Sequence, residues 1–429
     1  LLARLDRALS TGWARDVPDR QRTMRATLDW SHDLLAEPEK ALFRRLSVFF
    51  GGFSLEAAET VNDDEDVVDL LGRLVEQSLV TTEQNAVEDE ARYGMLEPVR
   101  QYAKEKLEES GEAEETRRRH AASFLDLTER VAPELTRAEQ AASLERLRRE
   151  HDNLRAALGW LLDRGDIEGA ARIGWGALWF WYIHGHISEG RGWMERALRH
   201  GGASTPGGRA KILVAIGGLA WREGDNDRAE AALEEGERLA RESGDWEVLA
   251  RALLARGYVA TNRGERERAE AALAESGRLY RGLGDSWGAG LALMGGVHVA
   301  LAEGDPARAE RLLAEAEKPL RASGAPWGLG AALSMRALLM QFRGDDAPAV
   351  PLLRESVGLS MSLADIPSLG VELANLAGAL ASLGWGERAA RLFGAAEALR
   401  ESSGMAIRFA PWHELYERHL EALRAQLDA

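Results

Sequence analysis

Two neighbouring histidines form a candidate pair of metal ligands in this sequence. His184 and His186 flank Gly185, and a neutral imidazole is a common metal ligand. The sequence contains no Cys, and no carboxylate cluster follows this pair closely. Because two histidines alone make a weak metal motif, we predict no metal site, and the missing Cys excludes disulfides and thiolate chemistry.

Motifs for catalysis are missing from the sequence. It has no Gly-x-x-x-x-Gly-Lys-Ser/Thr loop, no nucleophile elbow, no zinc motif and no dinucleotide-binding loop. Asp and Glu are spread over helical patterns, where a solvated surface is the ordinary role. We therefore expect no catalytic residue, no enzymatic activity and no cofactor in these 429 residues.

An aromatic group in the middle of the chain could form either a ligand cage or a core. Its helical spacing, with two helices to bury between, favours core packing for most members. The group consists of Trp175, Trp179, Phe180, Trp181, Tyr182 and Trp193.

The elements that must position such residues repeat along the second half of the chain. A Gly-acidic-x-x-Arg-Ala unit recurs every 40 residues, at Gly224, Gly264 and Gly304, weakly at Gly344, and again at Gly384. A second Gly stands half a period away, and a Gly followed by Asp ends one helix and caps the next. Each repeat is therefore predicted to be two helices of about 17 residues, longer than those of the ~34-residue tetratricopeptide unit.

The inner face of such a superhelix is the candidate binding surface. It is lined mainly by the first helix of each repeat, at positions that differ from repeat to repeat. Either a binding surface or an idle solvated face would vary in this way. The predicted groove residues are Lys211, Trp221, Arg222, Arg251, Tyr258, Asn262, His298, Met335 and Gln341.

Residues 21–109 have a different pattern. Helices are predicted at 23–35, 38–49, 55–61, 66–77 and 98–109, and one β-hairpin is predicted from residues 78–82 and 91–96. Helices followed by a hairpin describe a winged helix. The predicted fold is mainly all-α: a winged-helix domain with one small hairpin, then a right-handed α-solenoid of tetratricopeptide-like repeats with a 40-residue period.

Charge argues against nucleic acid as a direct partner of this segment. The net charge is −16, and acidic side chains crowd the two helices before the predicted hairpin, with Arg73 as their main opposing charge. We expect a structural or switch-coupling role for this domain. No apolar stretch approaches the ~20 residues of a membrane span, so we expect no membrane contact and a cytoplasmic location.

Several segments resemble bacterial STAND-class regulators, in the region that follows their nucleotide-binding module. The matching segments begin at Arg25, Phe43, Leu74, Glu97, His151 and Glu189, and the resemblance extends over nearly the whole chain. Such proteins are predicted ATPases with a winged helix and a tetratricopeptide sensor, often joined to a LuxR-type or SARP-type DNA-binding domain. The resemblance implies that the chain is the sensor half of a signal-transduction switch.

The resemblance also implies what lies outside the chain. ATP or ADP and Mg²⁺ would bind an N-terminal nucleotide-binding module, which would be a partner of this segment. We expect a monomer in isolation and an oligomer on activation of the full-length protein. The expected organisation is a tail of the preceding module at 1–20, the winged helix at 21–109, connecting helices at 110–150 and the repeats at 151–429.

Related nucleotide switches carry a Met-His-Asp triplet after the wing, whose His reaches the bound diphosphate. Met95, Leu96 and Glu97 stand in that place, with Leu96 instead of the His. The resemblance therefore leaves a nucleotide contact to Arg100, one turn later.

Two functions fit these observations. In the first, a small effector or short peptide enters the groove, changes the curvature of the repeats and alters their grip on the winged helix and the nucleotide-binding module. In the second, the groove is a protein-interaction scaffold, with Lys211, Arg222 and Arg251 selecting an acidic segment of a partner. A deep pocket walled by Trp221, Tyr258 and His298 would favour a metabolite, and a long open channel would favour a peptide.

Overall fold

The structure, a computed structural model, describes residues 19–62, 66–83, 91–201, 204–403 and 410–427. The chain forms two compact units, which we call the front unit and the repeat unit. The front unit comprises residues 19–124 with Asp152–Ala157, and the repeat unit comprises Leu125–His151 and residues 158–427. Most of the predicted tail at 1–20 lies outside the described residues, and the other predicted domain boundaries stay predictions.

The front unit combines short helices with a small antiparallel sheet. Its elements are α1 (Asp19–Asp33), α2 (Glu37–Arg45), a 3₁₀ turn (Leu46–Val48), β1 (Phe53–Ser54), α3 (Leu55–Thr60), α4 (Val67–Glu76), β2 (Thr81–Glu83), β3 (Arg92–Gly94), α5 (Glu97–Ser110) and the first part of α6 (Ala113–Val131). The predicted hairpin is present as β2 and β3. A third strand, β1, pairs with β3 so that Phe53 lies opposite Tyr93. The sequence analysis missed β1, because two residues are too few to show an alternating pattern.

Local sequence explains the helices of this unit. In α4, Val67, Leu70, Leu71 and Leu74 are buried and recur at helical spacing, so one face of the helix packs on the core. The Ser54 side chain caps α3 by accepting a hydrogen bond from the backbone N–H of Ala57 at 3.1 Å. These features fix the helices on either side of the short strand β1.

The repeat unit is built from consecutive helix pairs. Its elements are the rest of α6, a 3₁₀ turn (Glu134–Thr136), α7 (Gln140–Arg149), α8 (His151–Asp163) apart from Asp152–Ala157, α9 (Ile167–Gly176), α10 (Leu178–Ile183), α11 (Ile187–Arg199), α12 (Pro206–Glu223), α13 (Asn226–Ser243), α14 (Trp246–Asn262), α15 (Arg266–Gly282), α16 (Ser286–Ala302), α17 (Pro306–Ser323), α18 (Pro326–Phe342), α19 (Asp346–Ser362), α20 (Ile366–Ser382), α21 (Gly386–Ser403) and α22 (Ala410–Leu427). Helices α12 to α21 each have 17 or 18 residues, which confirms two helices per repeat.

The turns follow the predicted glycine pattern. Gly224 and Gly304 adopt positive φ values of 82° and 71°, a conformation that glycine takes without a Cβ penalty. The next residue, Asp225 or Asp305, accepts the N–H of Arg228 or Arg308 and caps the following helix. Each turn thus ends one helix and starts the next within three residues.

Close packing inside each pair explains the repeated small residues. The alanines five residues after each first Gly are fully buried. In the first of these pairs, a Cβ atom at Gly217 of α12 would lie 2.4 Å from Cγ of Leu233 in α13. The two helices therefore touch where α12 has no side chain.

The repeat unit also joins its first helices to much later ones. The side-chain oxygen of Gln140 in α7 accepts the backbone N–H of Trp327 at the start of α18, at 2.8 Å. Helix α10 packs against α20. The early helices consequently face the inner surface of the later repeats.

Candidate functional site

A cavity of about 290 Å³ lies on the inner side of the repeat unit. One wall comes from the first helices of successive repeats, α12, α14, α16, α18 and α20, as the repeat pattern predicts. The opposite wall comes from Leu178, Trp179 and Tyr182 of α10. Its volume is at the small end of the range for ligand pockets, about 300–1,000 Å³.

Most of the predicted groove residues meet at this cavity. Its lining includes Trp221, Arg222, Arg251, Tyr258, Asn262, His298 and Met335. Lys211 instead borders a second cavity of about 670 Å³, which Arg251 also borders. The 40-residue register therefore identified the inward side of α12, α14, α16 and, at Met335, α18.

Gln341 is the exception and corrects the prediction. It is fully buried, and its side-chain amide donates to the backbone oxygen of Asn375 in α20 at 2.9 Å. At about 100° per residue, the six residues from Met335 to Gln341 turn the helix by about 600°, so the two side chains point in different directions. Gln341 joins two helices and does not face the cavity.

Neighbouring aromatic rings line the wall that the first helices of the repeats form. The ring centroids of Trp221 and Tyr258 are 4.9 Å apart, and those of Tyr258 and His298 are 5.4 Å apart. Burial lowers the pKa of His298, whose Nδ1 lies 2.8 Å from the backbone oxygen of Met294. His298 is consequently a neutral member of this wall.

Helix α10 supplies the aromatic rings of the opposite wall. Trp179 lies edge-on to Trp287, with centroids 4.5 Å apart, and Tyr182 lies edge-on to Trp327, at 5.7 Å. Phe180 and Trp181, on the other side of α10, are buried in the core. One short helix thus supplies aromatic side chains both to the cavity lining and to the core.

Two arginines stack on these rings. The guanidinium carbon of Arg222 lies 4.8 Å from the ring centroid of Tyr182. That of Arg251 lies 4.1 Å from the ring of Trp175 and 5.4 Å from that of Trp179. Such stacking holds the planar guanidinium in place and leaves its edge free for hydrogen bonds.

Several buried donors around the cavity have no hydrogen-bond partner among the described residues. They are Nε of Arg222, Nε of Arg251 and the indole N–H groups of Trp179 and Trp221. Leaving a buried polar group unsatisfied costs about 1–3 kcal/mol, and more for a charged group. A ligand that brings acceptors would recover this cost.

Glu372 on α20 also lines the cavity and was missed by the sequence analysis. Burial raises the pKa of its carboxyl to about 7. The Ser356 hydroxyl lies within hydrogen-bond distance of both the Gly330 backbone oxygen and Glu372. Because one hydroxyl donates one proton, a protonated Glu372 that donates to Ser356 satisfies all three groups. No sequence motif marks this residue.

The histidine pair has a different setting from the one the sequence suggested. His186 groups with His151 and Glu189, and their potential ligand atoms all lie within 4.8 Å of one another. Nε2 of His151 is 3.1 Å from the Glu189 carboxylate, which the indole N–H of Trp193 also approaches at 3.4 Å. These hydrogen bonds account for His151 and Glu189. Sequence spacing could not reveal this group, because His151 begins another helix.

The residues suggested for a nucleotide contact lie at the start of α5 in the front unit. Met95 is half-buried, and Leu96 is exposed and stands at the N-cap position of α5. Glu97 forms two hydrogen bonds with Arg100, at 2.9 and 2.8 Å, which lower the pKa of Glu97. Arg100 also donates to the Ser47 backbone oxygen and stacks on Phe50. Its guanidinium is therefore held inside the front unit.

Residues 35–108 match the model of a winged helix-turn-helix domain. Proteins of Mycobacterium bovis and Mycobacterium tuberculosis, each named "Putative HTH-type transcriptional regulator", are 36% identical over 258 residues, which cover 57% of this chain and 29% of theirs. A second set from these species, named "Uncharacterized protein", is 46% identical over 112 residues, or 25% of this chain and 28% of theirs. The chain thus spans less than a third of the length of the curated relatives that it matches.

One solved structure shares the fold over nearly the whole chain. It is a signal transduction ATPase with numerous domains, with a tetratricopeptide repeat sensor, from Pyrococcus horikoshii. The TM-score is 0.50 at 13% identity, covering 97% of this chain and 67% of that one. The predicted fold, a winged helix followed by tetratricopeptide-like repeats, is confirmed, as is the resemblance to this class of regulators.

Among the described residues, no helix has the length and apolar composition needed to cross a membrane.

Proposed function

We propose that this chain is the sensor region of a ligand-responsive transcriptional regulator, and that the repeat-unit cavity binds a small effector. The observation that carries the proposal is the second wall of the cavity. Trp179 and Tyr182 of α10 lie opposite the first helices of the repeats and narrow what would otherwise be an open channel. An extended peptide needs an open groove, whereas a small molecule gains most from burial on all sides.

The same wall gives the ligand a means of signalling. An effector can shift a switch only by its differential affinity for two states. A molecule that contacts both α10 and α14 favours the arrangement in which the early and late helices lie close together. We propose that this arrangement changes the output of the winged helix and of an ATP- and Mg²⁺-binding module, while the segment itself has no catalytic role.

A cavity-filling variant tests the proposal. Gly218 of α12 lines the cavity, and a Cβ atom added there meets nothing within 4 Å. Gly218→Phe therefore adds a ring at the cavity from a position where the new Cβ causes no clash. Gly358→Phe is the matched control, because Gly358 of α19 is exposed and equally unobstructed but does not line the cavity.

The wild type, Gly218→Phe and Gly358→Phe are each immobilised and exposed to a lysate of the source organism. The small molecules that each protein retains are identified by mass spectrometry. We expect a metabolite that the wild type and Gly358→Phe retain and Gly218→Phe loses. Equal retention by all three proteins would place any binding elsewhere. A retained protein lost only in Gly218→Phe would make the cavity a protein-docking site instead.

A further inference from the structure

We propose that the effector is a small organic anion, with an apolar or aromatic body and one acidic group that Arg222 and Arg251 bind. This inference rests on the proposed function, because it assigns a chemical class to the occupant of the same cavity. It follows from the charge, the hydrogen-bonding state and the surroundings of the two arginines.

Arg222 is a cation that lacks a bonded counter-ion on its buried edge. Its Nε has no hydrogen-bond partner among the residues that the structure describes. Asp365 is the carboxyl that interacts with it electrostatically, but its oxygens accept the Trp327 indole N–H and the Ser368 backbone N–H, at 2.8 and 2.9 Å, and no hydrogen bond or ion pair joins it to Arg222 among the described residues. The Nε edge of a guanidinium matches a carboxylate in a two-point contact, so an incoming acid suits this position.

Arg251 presents a similar edge on the next repeat. Its Nε is buried and has no partner within the described part of the chain. Its Nη2 makes a long contact of 3.4 Å with Glu247, whose side chain is 55% exposed. A solvated carboxylate at this distance neutralises the arginine weakly, and the acid of a bound ligand would replace it.

The other charged groups of the lining do not cancel these two cations. Arg400 and Glu397 pair with each other. Glu372 is hydrogen-bonded to Ser356, and burial raises its pKa to about 7, so it carries at most one partial negative charge at neutral pH against the two arginines. The lining therefore keeps a positive balance, although the whole chain carries a net charge of −16.

The remaining surface defines the body of the ligand. Trp179, Tyr182, Trp221 and Tyr258 present aromatic rings to the cavity. The unpartnered indole N–H groups of Trp179 and Trp221 add neutral donors, which suit a carbonyl or ether oxygen. A wholly polar anion, such as inorganic phosphate, would leave these rings without contacts.

Two fluorescent probes of nearly the same shape test the inference. 8-Anilinonaphthalene-1-sulfonate is an aromatic anion, and N-phenyl-1-naphthylamine is its neutral counterpart without the sulfonate. Each is titrated into the wild type, Arg222→Met, Arg251→Met and the double variant, with Gly218→Phe to identify the signal from the cavity. Arg391→Met is the control, since its side chain is 82% exposed.

We expect the double variant to weaken cavity binding of the anionic probe at least tenfold and to change that of the neutral probe less than twofold. Arg391→Met should change neither. Equal effects on both probes, or none, would overturn the anion assignment and leave the cavity as a binding site. Probe signals that Gly218→Phe does not reduce would overturn the proposed function itself.

A competition experiment on the wild type keeps the inference testable if the arginine variants misfold. 4-Phenylbutyrate and 4-phenylbutanamide differ only in charge and terminal group, and each is used to displace the neutral probe. We expect the acid to displace the probe at a concentration at least tenfold below that of the amide. Equal competition would contradict the role of Arg222 and Arg251.

Discussion

The indole ring of Trp179 lies edge-on to that of Trp287, with centroids 4.5 Å apart and planes at 85°. The first belongs to α10 and the second to α16, so this contact connects an early helix with a late repeat. Trp179 also approaches Tyr182 and Trp327, at 5.2 and 6.2 Å. These contacts hold the two walls of the cavity together.

Trp179→Ala should therefore damage both stability and binding. Truncating a buried Trp typically costs about 3–5 kcal/mol, and here it also removes one of the two rings on which Arg251 stacks. We expect a lower free energy of unfolding in urea and loss of the cavity ligand. Trp246→Ala is the control, because Trp246 is 53% exposed and its removal should change stability by less than about 0.5 kcal/mol. Unchanged stability and binding in Trp179→Ala would show that α10 does not hold the cavity closed.

Glu372 should make the stability of the folded chain depend on pH. Burial raises its pKa to about 7 in the folded state, above the ordinary value of 4.5. Between these two pKa values, the folded chain holds a proton that the unfolded chain has lost. The contribution of this group to the free energy of unfolding is therefore full below pH 4.5 and is lost as pH rises towards 7 and beyond. Glu372→Gln keeps the shape and donates to Ser356 without titrating.

The variant should match the wild type near pH 4.5 and be more stable at pH 8, by up to about 3 kcal/mol for a shift of this size. Urea unfolding of both proteins across this range checks the expectation. Glu397→Gln serves as the control, because the Arg400 guanidinium lowers the pKa of Glu397 and its removal gives no gain at high pH. A pH-independent difference between Glu372→Gln and the wild type would refute the assignment.

The fold of the repeats could be predicted from the sequence, because residues that end, cap and pack the helices recur at a fixed spacing. Gly at each first turn, an acidic residue at most of the following N-caps and Ala at the helix contact recur every 40 residues, and each has a local cause. The same register placed Trp221, Tyr258 and His298 on one inner wall. Local patterns, however, do not report which distant helices meet.

The rest of the candidate site depends on such distant contacts. Trp179 and Tyr182 become the second wall only because α10 lies opposite α16 and α18. Glu372 has no distinguishing sequence context, and its protonation depends on burial by neighbouring helices. The error at Gln341 has a local cause instead, since a short offset along α18 rotates the side chain away from the cavity.

Two adjacent glycines of α12 should respond oppositely to alanine. A Cβ at Gly217 would lie 2.4 Å from Leu233 Cγ and 3.2 Å from the Ala229 backbone oxygen, whereas one at Gly218 meets nothing within 4 Å. Overpacking costs about 1–3 kcal/mol, so Gly217→Ala should be destabilising by that amount. Gly218→Ala should be neutral or stabilising by up to about 1 kcal/mol, through helix propensity. The melting temperatures of both variants test this expectation. Equal melting temperatures would mean that α12 and α13 are not in close contact at Gly217.

The turn between α19 and α20 departs from the repeat in one residue. The corresponding turns place Gly244, Gly284 and Gly324 at φ values of 71° to 73°, but here Ala364 adopts a φ of 51°. A side chain in this left-handed region costs roughly 1–2 kcal/mol, and glycine avoids that cost at the expense of a more flexible unfolded chain. Ala364→Gly should therefore raise the free energy of unfolding by about 0.5–1 kcal/mol.

The reciprocal substitution tests the same reasoning. Gly244→Ala puts a Cβ into open space at φ 71°, so any loss of stability comes from the backbone and not from a clash. We expect it to lower the free energy of unfolding by about 1 kcal/mol, measured in urea beside Ala364→Gly. If both substitutions shift stability in the same direction, left-handed strain at Ala364 is not what distinguishes the two turns.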